Sequence, residues 1–250
     1  MAKTFDGKAV LVTGGSRGLG AAIARAFAEN GADVAISYVE SDEKSQAVIA
    51  DVRKHGVQGE AFRADQADPA QVSRLVGDVV GRFGKLDILV NNAAVAWLGT
   101  RVGADNYDAE KMNKQWSINA LGSVATIRAA AKVLSNGGRI ISISSGLGTH
   151  ASAPGVADYA ATKAAINVFS KGVAHDLADR DITVNVIQCG VIDTDMSAPY
   201  MEGLMRGLAS KPIKRPARVD EIAAGVLFLA SPAASYMTGA IVDIDGGFAA

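Results

Sequence analysis

The sequence predicts an α/β protein in which one doubly wound parallel sheet of about seven strands carries helices on both faces. Short apolar segments alternate along the chain with helical segments of roughly ten residues or more, which is typical of consecutive strand–helix–strand units. The apolar segments lack a polar alternation, so neither face of the predicted sheet is expected to meet water. A glycine-rich turn follows the first apolar segment and opens the first helix. Together these observations predict the fold class.

The first half of the chain alternates strands and helices without a break. Strands are predicted over residues 8–13, 33–38, 57–63 and 86–90. Helices are predicted from Gly20 to about Gly31 and over residues 42–55 and 69–83, with Ser41 or Asp42 as the cap of the second. Right-handed crossovers between parallel strands bring the segments that follow each strand to one edge of the sheet.

The second half of the chain is less regular. The predicted elements are a loose segment (95–106), a helix (108–134), a strand ending at Ser145, a helix that carries Tyr159 and ends near Arg180, a strand (182–187), a helix (219–229) and a strand (240–244). Residues 190–216 lack periodicity and contain three of the six prolines, so we expect a mobile flap around 193–215 with a short helix inside. No repeat or linker interrupts the pattern, and residues 1–250 are predicted to form a single domain.

Composition narrows the functional classes. The 250 residues are 49% hydrophobic, enough for one large core, and a net charge of −1 gives no reason to expect nucleic acid or an acidic membrane as partner. Cys189 is the only cysteine and the three histidines are dispersed, so neither a disulfide framework nor a metal site is predicted. The first residues are polar and no apolar run approaches the roughly 20 residues of a membrane span, so we expect a cytoplasmic protein.

Ser145, Tyr159 and Lys163 are the candidate chemical groups. Tyr159 and Lys163 are four residues apart in an alanine-rich helix, so their side chains leave one face. A phenol has a reference pKa of about 10, and a neighbouring ammonium group lowers that pKa by favouring the phenolate. Tyr159 could then exchange a proton with a carbonyl oxygen. Taken alone, the spacing also fits a surface lysine beside a half-buried tyrosine.

Gly14, Gly18 and Gly20 follow the first strand and open the first helix. Without a Cβ the backbone can approach a pyrophosphate closely, and the N–H groups at the helix start point towards its charge. This context predicts a Rossmann-type dinucleotide-binding fold, although the spacing is Gly-x-x-x-Gly-x-Gly rather than Gly-x-Gly-x-x-Gly. A tight turn without a ligand would leave the three glycines unexplained.

Five motifs in this order resemble the short-chain dehydrogenase/reductase family, in particular its 3-oxoacyl-carrier-protein-reductase-like branch. They are residues 13–20, residues 91–93, Asn119, Ser145 and the Tyr159–Lys163 pair, and the resemblance covers essentially the whole chain. It implies that Tyr159 is the acid–base group and that Lys163 lowers its pKa and binds the nicotinamide ribose. Ser145 would bond the substrate oxygen, and Asn119 would hold a proton-relaying water.

The resemblance also implies a nicotinamide dinucleotide as cofactor. Asn92 and Ala93 would lie against the adenosine ribose, Asp65 near the adenine, and Ile192 and Thr194 against the carboxamide. The full predicted set of cofactor contacts is Gly14, Ser16, Arg17, Gly18, Leu19, Gly20, Ser37, Tyr38, Asp65, Asn92, Ala93, Tyr159, Lys163, Ile192 and Thr194.

The end of the second strand bears on the choice between NADP(H) and NAD(H). An enzyme that prefers NAD generally places a carboxylate there, but Ser37 and Tyr38 stand at that position here. Arg17 is placed to pair with a phosphate, and the hydroxyls of Ser37 and Tyr38 could assist it. NADP(H) is therefore favoured over NAD(H). The alternative interpretation of Arg17 is a solvated loop cation.

Three positions depart from the family's usual pattern. Ala94 stands where glycine is usual, and Cys189 stands where proline is usual and is expected to pack as a small buried hydrophobe. The spacing from the serine to Tyr159 is one residue longer than the commonest one, which leaves Ser144 and Ser145 as alternatives. The position at the end of the strand favours Ser145.

The substrate is the least specified part of the prediction. The candidate contacts are Ser145, Tyr159, Trp97, His150, Met196 and Tyr200, with Ala153 and Met201 as further candidates. This mostly apolar set predicts a small-molecule ketone or aldehyde with a hydrophobic part, hence a carbonyl reductase or alcohol dehydrogenase. A 3-oxoacyl-carrier-protein reductase is the alternative. Such a reductase is expected to carry basic residues at two positions near the cleft, but here one position is Arg180 and the other is Asn136. A nucleotide-binding regulator without chemistry is a second alternative. The resemblance also implies a homotetramer or homodimer.

Overall fold

Seven parallel strands form one sheet in the computed structural model, which describes residues 3–151 and 153–250. The strands are β1 (Ala9–Val12), β2 (Asp33–Tyr38), β3 (Gly59–Arg63), β4 (Leu86–Asn91), β5 (Leu134–Ser145), β6 (Thr183–Cys189) and β7 (Ile241–Ile244). Their order is β3-β2-β1-β4-β5-β6-β7, which confirms the predicted doubly wound sheet. The single-domain prediction also covers Met1, Ala2 and Ser152, which lie outside the described residues.

The described part of the chain contains eight α-helices. They are α1 (Gly18–Glu29), α2 (Asp42–Arg53), α3 (Pro69–Phe83), α4 (Ala109–Trp116), α5 (Ser123–Ala131), α6 (Ala157–Asp176), α7 (Met201–Leu208) and α8 (Val219–Ala230). A π-helical segment, Ser117–Gly122, joins α4 to α5, so the single helix predicted over 108–134 contains a more loosely wound turn. Within the described ranges, none of the helices combines the length and the apolar character that crossing a membrane requires.

Two apolar layers cover the sheet. One packs α1, α2 and α8 against it through residues such as Phe27 and Val226. The other packs α3, α5 and α6 against the opposite face through residues such as Leu75 and Ile127. Because both faces are covered, β1, β4 and β6 are buried along their whole length, as expected of a parallel sheet.

The carboxyl edge of the sheet collects the sequence motifs. The strand order reverses between β1 and β4, and an open parallel sheet binds its ligand at that point, beyond the carboxyl ends of the strands. The glycine loop follows β1, Asn92 follows β4, Ser145 ends β5 and Gly190 follows β6. The fold thus brings motifs far apart in sequence to one edge.

The predicted flap is irregular apart from α7 and a short 3-10 turn, Ala198–Tyr200. Its base is anchored to the sheet edge. Ile192 pairs with Ala217, and the Ile213 N–H donates to the Gly246 carbonyl oxygen at 3.0 Å. Mobility of the segment between these anchors stays a prediction.

Candidate active site

Tyr159 and Lys163 leave the same face of α6 and meet the end of β5. Lys163 Nζ donates a hydrogen bond to the Ile143 carbonyl oxygen at 3.0 Å and lies 5.7 Å from the centre of the Tyr159 ring. Ser145 lies near enough to Tyr159 to act on the tyrosine pKa as a hydrogen-bond partner. Ser144, on the other face of the strand, is buried and donates to the Lys163 carbonyl oxygen at 3.3 Å. The geometry therefore favours Ser145 over Ser144.

Burial controls the proton affinity of this pair. Loss of hydration raises the pKa of Tyr159 to about 12, with the nearby Cys189 acting in the same direction and the Ser145 hydrogen bond in the opposite one. Loss of hydration likewise lowers the pKa of Lys163 to about 8. Desolvation of the phenolate is the largest influence on the Tyr159 pKa, and the expected lowering of that pKa by Lys163 stays a prediction. Near neutral pH both side chains keep their protons, so Tyr159 is set up as a proton donor.

We expect carbonyl reduction to slow above about pH 8. Lys163 is positively charged below its pKa of about 8 and loses that charge as the pH rises through this value. If the ammonium group assists the phenol, kcat/KM should then fall by about tenfold per pH unit. A pH profile of kcat/KM measures this, and a profile that stays flat to about pH 10 would contradict it.

Asn119 lies in the π-helical segment, and its side chain holds the loop that follows β4. Its Nδ2 donates to the Val95 carbonyl oxygen and its Oδ1 accepts from the Val95 N–H, both at 2.8 Å. Nδ2 also lies 3.3 Å from the Thr162 hydroxyl on α6. π-helical turns occur frequently at functional sites. Asn119 therefore joins the loop to the helix that carries Tyr159, while its contact with a water stays a prediction.

The glycine loop forms a concave backbone surface, called the cradle below, which a side chain in place of a glycine would fill. Gly14 and Gly18 have φ angles of 65° and 53°, a left-handed conformation that favours glycine. A Cβ on Gly20 would lie 2.4 Å from the Gly14 carbonyl oxygen and 2.6 Å from Asn92 Nδ2. The residue before α1, Arg17, makes no side-chain capping bond, which leaves the first N–H groups of the helix for a ligand. The cradle therefore fits the pyrophosphate of a dinucleotide.

Thr13 ties the glycine loop to the end of β4. Its Oγ1 accepts hydrogen bonds from the N–H groups of Asn92 and Ala93, each at 3.0 Å. The Asn92 side-chain amide donates back to the carbonyl oxygens of Thr13 at 2.9 Å and Gly14 at 3.2 Å. Thr13 directly follows β1 and was part of the motif at residues 13–20, although it was not predicted to contact the cofactor or substrate.

The structure corrects the predicted roles of Ser37 and Tyr38. Ser37 is only 2% exposed, and its hydroxyl accepts a hydrogen bond from the Gly14 N–H at 3.1 Å. The Tyr38 hydroxyl donates to an Asp42 carboxylate oxygen at 2.6 Å, so its proton is not available to a phosphate. Ser37 therefore supports the glycine loop, and Tyr38 supports the start of α2.

The other predicted cofactor contacts border the cradle. Arg17 is exposed at the start of α1, and Asp65 follows the end of β3. Thr194, in the flap, faces the glycine loop, since a Cβ on Gly18 would lie 3.5 Å from its Cγ2. Ile192 lies at the base of the same flap. The glycine loop, the end of β3 and the flap are thus three sides of one site.

Two of the predicted substrate contacts lie where the flap meets the loop after β4. The Tyr200 hydroxyl donates to the Ala96 carbonyl oxygen at 3.0 Å and accepts from the Leu98 N–H at 3.3 Å. The Trp97 ring, on the same loop, lies 5.5 Å from Lys111 Nζ. Tyr200 therefore links the flap to the loop, and its contact with a substrate stays a prediction.

Two further substrate candidates, Met196 and His150, are more exposed. Met196 is exposed on the flap, and His150 is exposed in the loop after β5. Burial raises the pKa of Asp243, and the nearby His150 opposes that shift. His150 thus lies beside a carboxylate at the end of β7, and its contact with a substrate stays a prediction.

Gln188, next to Cys189 in β6, bonds the end of β5 at Ser145 and the loop that follows it. Its Nε2 donates to the Ser145 carbonyl oxygen at 3.1 Å and to Thr149 Oγ1 at 2.7 Å. Cys189 is buried in the core, and burial raises the pKa of its thiol to about 12. The predicted packing role of Cys189 is confirmed, whereas nothing in the sequence indicated the role of Gln188.

Asp158 anchors the start of α6. It immediately precedes Tyr159, and its carboxylate accepts hydrogen bonds from Trp116 Nε1 at 2.9 Å and from the Tyr107 hydroxyl at 3.0 Å. These partners lie on α4 and in the loop before it. Sequence reasoning missed this contact because its three members are far apart along the chain.

Comparison with known proteins finds relatives that match almost the whole chain. A family model described as Enoyl-(Acyl carrier protein) reductase matches residues 14–249. The chain is 37% identical over 247 residues to the 3-oxoacyl-[acyl-carrier-protein] reductase FabG of Staphylococcus aureus, covering 96% of this chain and 97% of the relative. A short chain dehydrogenase from Burkholderia cenocepacia J2315, solved in complex with NADP, is 40% identical with a TM-score of 0.95, covering 99% of this chain and 100% of that one. A blue fluorescent protein from a metagenomic library, solved in complex with NADPH, shows the same identity of 40%, TM-score of 0.95 and coverage of 99% and 100%.

These similarities and the site define an oxidoreductase built on a dinucleotide-binding sheet. The chain belongs to the short-chain dehydrogenase/reductase family, as its motifs predicted.

Proposed function

We propose that the protein is an NADP(H)-dependent carbonyl reductase or alcohol dehydrogenase that interconverts a ketone or aldehyde and an alcohol. Ser145, Tyr159 and Lys163 lie together at the sheet edge that also carries the glycine loop, and this observation carries the proposal. The NADP and NADPH complexes of the two 40% identical proteins support the choice of cofactor.

The protein's own residues supply the acid chemistry. Bound NADPH would provide the hydride for the carbonyl carbon. Tyr159 gives its phenolic proton to the carbonyl oxygen, and its raised pKa keeps that proton in place at neutral pH. The Ser145 oxygen accepts from the Leu147 N–H at 3.2 Å, which leaves the serine proton to stabilise charge on the same carbonyl oxygen. Lys163 keeps a positive charge close to the phenol.

Consumption of NADPH over a panel of hydrophobic ketones and aldehydes tests the proposal. Turnover of at least one compound, with formation of the matching alcohol, would support it. Tight NADPH binding without turnover of any compound would instead favour the nucleotide-binding regulator.

Arg17→Ala should weaken the binding of NADPH much more than that of NADH. The exposed guanidinium group at the start of α1 can bond the 2′-phosphate that only NADPH carries. Hydrogen bonds to charged groups contribute about 1.5–3 kcal/mol, so NADPH affinity should fall by about tenfold or more. Arg25→Ala is the matched control, because Arg25 lies within α1, the helix that Arg17 precedes, and pairs with Asp51. Equal losses for both cofactors would remove Arg17 from the phosphate site.

A 3-oxoacyl-carrier-protein reductase is the second candidate, favoured by the 37% identical Staphylococcus relative. Its acidic carrier would need basic residues near the cleft. The Arg180 guanidinium group instead donates to the carbonyl oxygens of Ala131 and Leu134 and to the Asn136 side chain, so each of its three nitrogens has a partner within the chain. Rates with one 3-oxoacyl group, presented on a carrier protein and on a small thiol, separate the candidates. A strong preference for the carrier would favour this second function.

The proposed assembly is a homotetramer or homodimer. Leu121 on the π-helical segment and Val168 on α6 are 61% and 71% exposed, and an interface would cover such apolar side chains. Light scattering of the purified protein measures the mass directly. The cytoplasmic location expected from the sequence is likewise a proposal, which cell fractionation tests.

A further inference from the structure

A cation on β3 faces the end of β2. Arg63 is the last residue of β3, and the strand register pairs it with Tyr38. Its Nε donates to the carbonyl oxygen of Val39, the first residue after β2, at 3.1 Å. This bond holds the guanidinium group where the chain leaves the sheet. The two Nη groups of the fork remain as further donors.

A cavity of about 340 Å³ opens beside this cation and is lined by Val39, Arg63, Asp65 and Gln71. The Asp65 carboxylate in this cavity is held in place, because one of its oxygens accepts a hydrogen bond from the Ala67 N–H at 2.8 Å. The Asp65 N–H donates to Gln71 Oε1 at 3.0 Å. The cavity lies across the end of β2, where doubly wound dinucleotide-binding folds hold the ribose of the adenosine half.

We infer that Arg63 is a specificity-determining residue that binds the 2′-phosphate of NADP(H). The inference rests on the proposed function for the identity of the cofactor. Ser37 is buried and the Tyr38 hydroxyl gives its proton to Asp42, so neither hydroxyl at the end of β2 is placed to donate to a phosphate. Arg63 supplies from β3 the charge that β2 lacks. A planar guanidinium fork held by one nitrogen is well suited to bond phosphate oxygens with the others.

Titration of the cofactor-free full chain tests this assignment. Adenosine 2′,5′-bisphosphate is compared with AMP by calorimetry, and NADPH with NADH by fluorescence. Arg63→Gln should weaken the binding of the bisphosphate and of NADPH by about tenfold or more, and that of AMP and NADH by less than about twofold. Arg63→Lys should give an intermediate loss, because lysine keeps the charge without the fork.

Arg74→Gln is the matched control. Arg74, on α3, lines a second cavity that Arg63 also borders, and its replacement removes the same charge from the same side of the molecule. The affinities for the bisphosphate, AMP, NADPH and NADH should all be unchanged in this variant. Equal weakening of both members of each pair in Arg63→Gln, or the same selective loss in Arg74→Gln, would overturn the assignment.

A failure of the proposed function would give a different result from a failure of the Arg63 assignment. If the wild-type chain reduces a ketone with NADPH while Arg63→Gln shows no selective loss, only the role of Arg63 is refuted. If the wild-type chain does not bind NADPH, the proposed cofactor is refuted and the assignment falls with it. Arg63 is exposed, so an unchanged unfolding temperature will verify that each variant is folded.

Discussion

Tyr159→Phe should lower kcat for carbonyl reduction by about 10²- to 10⁴-fold and leave the affinity for NADPH within about twofold. The change removes the phenolic proton that the substrate oxygen receives and keeps the ring that lies 5.7 Å from Lys163. Steady-state NADPH consumption gives kcat, and a fluorescence titration gives the affinity. Separate measurement of the two quantities distinguishes loss of chemistry from loss of the site.

A matched control uses the same substitution on the surface. Tyr236 is fully exposed, so Tyr236→Phe should leave kcat, cofactor affinity and stability unchanged. If Tyr159→Phe kept more than about a tenth of the activity, another group would have to be the proton donor. If it abolished NADPH binding as well, Tyr159 would be needed for the shape of the site rather than for proton transfer.

Gly20→Ala should remove most of the affinity for NADPH and lower the free energy of unfolding by about 1–3 kcal/mol. The added Cβ would lie 2.4 Å from the Gly14 carbonyl oxygen and 2.6 Å from Asn92 Nδ2. Both atoms belong to the hydrogen bonds that join the glycine loop to the end of β4. Displacing them opens the cradle and misplaces the N–H groups at the start of α1. Denaturant unfolding and cofactor titration measure the two effects.

Gly77→Ala is the control for this change. Gly77 lies in α3, and a Cβ there would meet nothing within 4 Å. Alanine should therefore stabilise the helix by about 0.5–1 kcal/mol and leave NADPH affinity unchanged. Wild-type NADPH affinity in Gly20→Ala would mean that the pyrophosphate does not bind in this cradle.

Local chemistry explains why so many elements could be placed from the sequence. The third helix was predicted over 69–83 and is observed as Pro69–Phe83, because proline suits the first turn and Gly84 ends the helix in a left-handed conformation. The second strand was predicted over 33–38 and is observed as Asp33–Tyr38. The helix predicted over 108–134 was less accurate. Its π-helical turn contains Gly122, where a Cβ would lie 2.2 Å from the Gln66 carbonyl oxygen. The local sequence pattern does not predict this close approach.

Part of the candidate site could be predicted for a related reason. Parallel strands joined by right-handed crossovers must bring their following loops to one edge, so Ser145, Asn92 and the glycine loop share that edge whatever the details of packing. The helical spacing of Tyr159 and Lys163 likewise places both side chains on one face of α6. Residue order was enough to identify these groups.

Hydrogen-bond partners and burial depend instead on residues distant along the chain. Ser37 turned out to support Gly14, whereas Arg63, which sequence reasoning passed over, reaches Val39. Burial raises the pKa of Tyr159, an effect that the spacing between Tyr159 and Lys163 does not indicate. Motif order was thus sufficient to assign the family and the reacting groups. Packing decided which hydrogen-bond donors face the ligand and which side chains of the site stay protonated. Desolvation and contacts between distant residues exist only in the folded chain.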